Sequence, residues 1–103
     1  MEQLISIFNA IGIANYHTPV PANAALPYIA LTDYTESYTR ADDRIDDITE
    51  HIQADYYTKT EYDPNKDVIR DALDAAEIVF DYQCRYEDAE KVYHHIFDCE
   101  VSA

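Results

Sequence analysis

Residues 39–47 read TRADDRIDD, four aspartates and two arginines within nine positions. Carboxylates at that density suit four roles: a hard-cation site, an imitation of DNA phosphates, a solvated loop, or one half of a protein–protein joint. A calcium loop requires acids at alternating positions, then glycine, then a closing glutamate. Counting from Asp42, the third position is Arg44, the fifth Asp46 and the sixth Asp47 where glycine belongs. Arginine inside the loop would also repel a cation, so no calcium is expected. The same arginines count against DNA mimicry, which needs carboxylates spaced like phosphates.

The second concentration of reactive types is Cys84, His94, His95 and Cys99. Whether they converge depends on the elements that carry them. Residues 78–86 alternate, with Ile78, Phe80, Tyr82, Cys84 and Tyr86 on one face; residues 91–101 place Tyr93, His95, Phe97, Cys99 and Val101 on one face. With 87–90 as the turn, Glu87 sits opposite Glu90, 84 faces 93, 82 faces 95, 80 faces 97 and 78 faces 99. Both apolar sets then share a side of the sheet. His94 and His95 point to opposite faces, and Cys84 and Cys99 lie six ladder positions apart, roughly 20 Å at about 3.3 Å per residue. That spacing opposes a zinc site and excludes a disulfide. Cys84 faces Tyr93 rather than a histidine, and no glycine-rich turn offers an oxyanion site, so nucleophilic catalysis is not expected. The chain does not read as an enzyme, and no cofactor is expected.

The remaining elements follow from period and punctuation. Residues 2–11 carry Leu4, Ile5, Phe8 and Ile11 at helical spacing, followed by Gly12 at a C-cap position. Residues 17–27 hold three prolines and read as an extended surface connection. Residues 28–38 read as a strand; residues 48–60 alternate through Ile48, Ile52, Ala54 and Tyr56, broken only by Glu50. These two form a long hairpin with the charged loop 39–47 at its tip. Residues 63–77 form the clearest helix: Asp63 caps it, Pro64 opens it, and Val68, Ile69, Ala72, Leu73 and Ala76 make one stripe. The expected fold is α+β, a four-stranded, mostly antiparallel sheet with two helices packed on one face, in the order α-β-β-α-β-β. Residues 1–103 read as a single domain.

Composition narrows the partners. Seven basic residues stand against 21 acidic ones, a net charge of −14. Gripping a nucleic-acid backbone or an anionic membrane needs the opposite sign. The charge permits a basic partner, or a surface that repels DNA. Ten tyrosines and no tryptophan suit half-exposed faces and interfaces. The start of the chain lacks a basic leader and no stretch has transmembrane length, so cytosol with both thiols reduced is expected.

The succession "LPYIALTD", "RADDRIDD", "HIQADYYTK", "DPNKDVIRDAL" and "KVYHHIFDCEV" resembles the tail-completion, or tail-terminator, proteins of long-tailed phages and prophages of Gram-positive bacteria. The likeness spans roughly residues 26–101 and rests on order and lengths, with the "ADD" and "YTK" positions. The chain departs from the pattern in a more acidic 41–47 and in a short closing turn without glycine. The resemblance implies a ring, usually six-fold, on the head-proximal end of the tail tube, which stops tube polymerisation and docks to the head. It implies as partners further copies of the chain, the tail tube protein and a head-completion or connector protein, with DNA passing through unbound. The place implied is the head–tail junction of the virion, reached from the host cytoplasm. Within such a ring Arg40, Asp42, Asp43, Arg44, Asp46 and Asp47 are the candidate subunit or docking contact, since both charge signs can reach across a heterologous joint. A small acidic DNA mimic inhibiting a host protein and a general cytosolic interaction domain are the alternatives.

Overall fold

The computed structural model describes residues 1–41, 44–60 and 63–102, with the side chains of 34–48 and 102 outside that description. Its elements run α1 (Glu2–Ala10), β1 (Asn15–His17), β2 (Tyr28–Ala41), β3 (Arg44–Thr58), α2 (Pro64–Ala75), β4 (Val79–Glu87) and β5 (Val92–Ser102). The sheet is five-stranded and mixed, in the order β1-β2-β3-β5-β4. This corrects the four-stranded α-β-β-α-β-β expectation. The added strand pairs parallel to β2, through Asn15↔Ile29, Tyr16↔Ala30 and His17↔Leu31. Three residues are too few to show a period, and a parallel partner must be reached by a long crossover, here the proline-bearing segment 18–27.

Both helices end in the same backbone device. The N–H of Gly12 donates to the carbonyl of Asn9 and that of Ile13 to Phe8, at 3.1 Å each, with Gly12 at φ 78. In α2 Glu77 donates to Asp74 and Ile78 to Leu73, both 3.0 Å, with Glu77 at φ 58. Each is a paired 5→2 and 6→1 closure in which a left-handed residue turns the chain and the next apolar side chain folds onto the helix. At the start of α2 the Asp63 carboxylate accepts from the Asn65 backbone N–H at 2.8 Å and from the Thr58 hydroxyl at 2.9 Å. That fastens the helix to the end of β3.

One core results. Leu4 and Phe8 of α1 and Ile69 and Leu73 of α2 pack with Ile29, Leu31, Ile52, Ala54, Tyr56, Phe97, Cys99 and Val101. The core residues of β3 are its even positions, so the helices cover one face and the odd positions lie on the other. Tyr56 is fully buried, and its hydroxyl accepts from the Asn65 amide at 3.3 Å. Glu50, which interrupts the alternation, sits 3.5 Å from the Met1 amino group.

Two further expectations are corrected. Strands β2 and β3 reach Ala41 and Arg44, so most of 39–47 belongs to paired strand. The ladder takes up one extra residue between Asp33 and Thr35 and another opposite Thr39–Arg40, two bulges that a simple alternation does not anticipate. In the last hairpin the pairs are Phe80↔Cys99, Tyr82↔Phe97, Cys84↔His95 and Tyr86↔Tyr93, two residues slid from the expected register. The turn begins after Glu87, whose carbonyl accepts from Lys91 N–H at 2.7 Å, with Lys91 left-handed at φ 55. A slide of two preserves every face, so periodicity could not reveal it.

Candidate functional site

Of the six residues singled out from sequence, Arg40, Arg44, Asp46 and Asp47 lie at the far end of the β2–β3 hairpin. Arg40 pairs with Ile45, Arg44 with Ala41 and Asp47 with Thr39, while Asp46 is the extra residue of the second bulge. Asp42 and Asp43 lie outside the described residues, as do the side chains of the other four. What the backbone gives is reach. The pairing of β3 with β5 stops at Thr49↔Ser102, and β1 covers β2 only through Leu31. Past those points the hairpin continues, among the described residues, as two strands, in a molecule extending 51 × 26 × 21 Å.

A second constellation occupies the helix-free face. His94 Nε2 lies 2.8 Å from Asp55 Oδ1, and its Nδ1 lies 3.4 Å from Glu87 Oε1. The Gln53 amide donates to both Asp55 oxygens, at 2.9 and 3.1 Å, and the Tyr57 ring stacks on the imidazole at 4.4 Å between centroids. Burial disfavours the imidazolium, but Asp55 and then Glu87 outweigh it and hold His94 above its ordinary pKa. Burial likewise pushes the Tyr57 hydroxyl up to about 12, with Asp55 adding to it. Sequence reasoning passed over Asp55, Tyr57 and Glu87. Asp55 and His94 are 39 residues apart and meet only because β3 and β5 become neighbours. Both ring nitrogens face carboxylates, so the group can carry a proton and brace three strands, β3, β5 and β4. Beside it runs a groove of about 350 Å³ lined by Gln53, Asp81, Gln83, Arg85, His94 and Asp98.

On the helix side His95 is buried at 1% exposure. The slid register puts it opposite Cys84, which corrects the pairing of that cysteine with Tyr93. The imidazole nevertheless takes the Tyr82 hydroxyl, 2.7 Å from Nδ1. Burial, with Lys66 adding to it, lowers the His95 pKa, and burial first of all pushes Tyr82 up to about 12. Tyr82 therefore donates to a neutral ring, and the remaining Nε2–H has no partner among the described residues. Cys99 pairs with Phe80, four positions from Cys84 and roughly 13 Å along the strand, and both thiols are free. Among the described residues no three His, Cys, Asp or Glu side chains gather as a metal site would require.

Compared by sequence, the chain matches no protein-family model and no curated protein. In fold it is similar to a chain in the virion of a native gene transfer agent (GTA) particle, with a TM-score of 0.67 at 12% identity, over 98% of this chain and 89% of that one. At that identity the likeness establishes a shared fold.

Proposed function

We propose that this chain is a structural protein of a phage-like virion, forming a ring at the head-proximal end of the tail tube. The ring ends tube polymerisation and presents the surface to which the head docks. The observation that carries this reading is the fold likeness, over nearly the whole chain, to a chain of the GTA virion. The order of sequence motifs over residues 26–101 supports the finer assignment to tail completion.

The hairpin suggests how copies would meet. A two-stranded ribbon in water is marginal, because it buries little and leaves both edges unpaired. The outer half of β2–β3 is such a ribbon, and it gains stability when it lies on a neighbour. A head-to-tail ring is built from unlike patches, and a tip carrying Arg40 and Arg44 among Asp42, Asp43, Asp46 and Asp47 offers both signs to the opposing surface. In this reading the partners are further copies of the chain, six in all, with the tube protein below and a head-completion protein above. DNA passes through the ring unbound, repelled by a net charge of −14.

Electron microscopy of the purified chain, alone and with tail tubes, tests the proposal. Rings, or discs capping tube ends, are expected; a chain that neither closes rings nor binds tubes overturns it. Arg40→Glu with Arg44→Glu should abolish ring closure or tube capping while leaving the thermal midpoint within about 2 °C, since both backbone positions lie beyond the last pairing of the hairpin with β1 and β5 among the described residues. Unimpaired assembly of that variant would remove the tip from the joint.

A further inference from the structure

The edge strand β4 has a feature that the ring reading leaves unused. It pairs with β5 on one side and has no described strand on the other, and residues 81–86 are all exposed. Sheet edges are normally protected by shortness, proline, charged side chains or a bulge. The opposite edge follows that rule, since β1 is three residues long. β4 relies on charge alone, and on charge of both signs: it has nine residues without proline, carries Asp81, Arg85 and Glu87, and pairs with β5 without a register shift. It also displays Val79, Tyr82 and Tyr86 at 67%, 40% and 49% exposure.

We infer that β4 is a docking edge for a second copy of this chain, the two β4 strands pairing antiparallel about a twofold axis at Gln83. In that register all nine residues of β4 overlap and its opposite charges meet. Antiparallel pairing about residue 83 sets Asp81 opposite Arg85 of the second copy, and by symmetry twice over. On the helix side it sets Tyr82 against Cys84 and Phe80 against Tyr86. Moving the centre to Cys84 would oppose Asp81 to Glu87, and moving it to Tyr82 would oppose Arg85 to Val79, so charge selects the centre.

Residues that pair directly across antiparallel strands share a face, so the joined molecule is one ten-stranded sheet with all four helices on one side. A twofold contact uses the same patch on both copies and closes at two. The inference does not rest on the ring reading: it concerns the free chain and a different edge of the sheet.

The test is a charge swap on the full chain, read by light scattering and sedimentation. The unmodified chain should show twice its 11.9 kDa mass at high concentration. Asp81→Arg and Arg85→Asp should each raise the dimer dissociation constant by about tenfold, and the two together should restore it to within about threefold. Because residues 81 and 85 are exposed, circular dichroism should show all three variants folded. Gln83→Cys on a Cys84→Ser background should cross-link to dimers with a short bis-maleimide, and go no further. An unmodified chain that stays monomeric at about millimolar concentration, a double variant as weak as the singles, or cross-linked ladders beyond two would each overturn the pairing. Reversal of Arg40 and Arg44 should leave the dimer intact, which separates failure of this contact from failure of the ring joint.

Discussion

His94 and His95 are neighbours in sequence and opposites in environment. His94 sits between Asp55 and Glu87 with its pKa raised; His95 is buried against Tyr56 and Tyr82 with its pKa lowered. The linkage signs therefore oppose. A raised histidine contributes stability that is complete below the unfolded value near about 6.5 and is lost as pH rises through its folded value. A lowered one favours its neutral form, and its contribution is lost as pH falls below about 6.5. His94→Gln should consequently cost more in acid. Its deficit in Tm relative to the unmodified chain should be about 3–6 °C larger near pH 5.5 than near pH 8.5 by scanning calorimetry. A deficit independent of pH would mean that the imidazole acts as a neutral hydrogen-bonding group. None of this pairing was legible in the sequence, where His94 could be assigned a face and no partner, because Asp55 reaches it from another strand.

Elements were far more legible than contacts. Asp63 and Pro64 announce the start of α2, and the observed cap uses that carboxylate on the Asn65 N–H. Gly12 announces the end of α1 for a stated reason, since it alone adopts a left-handed φ without a Cβ penalty. The end of α2 uses the same closure without the glycine signal, placing Glu77 at φ 58. That departure predicts a stabilising change. Glu77→Gly should relieve the left-handed strain and add about 0.5–1 kcal/mol, read as a rise of about 2–8 °C in Tm. The same substitution at Ala76, which has ordinary φ, should lower Tm instead. The turn at Lys91 shows the limit of such signals: without glycine to mark it, the hairpin was placed two residues from its true register.

For the molecule as a whole, charge and architecture act against each other. Two copies at −14 repel at long range, yet both proposed contacts bring copies together through local pairs of opposite sign. Screening separates the two effects, because the Debye length falls from about 30 Å at 0.01 M salt to about 8 Å at 0.15 M, while contacting charges stay close. Dimer and ring yields should thus rise between those concentrations, measured by light scattering and by ring counts on grids. A monotonic fall from the lowest salt would show that pairwise attraction dominates the field of the whole chain.

By itself the sequence determined what depends on neighbouring residues: both helices with their stripes, the strand faces, the acidic surface, and the separation of His94 from His95. Those follow from a fixed repeat, 3.6 or 2, and from caps that act within one turn. Only the tertiary structure decided the five-stranded mixed order, the parallel β1, the two bulges, the slid β4–β5 register and the Asp55–His94–Glu87 cluster. Each of these is a pairing choice that leaves the faces unchanged, a one-residue bulge that shifts the alternation, or a meeting of strands far apart in the chain. Such choices are made by the summed packing and hydrogen bonding of the whole sheet, which no local pattern carries.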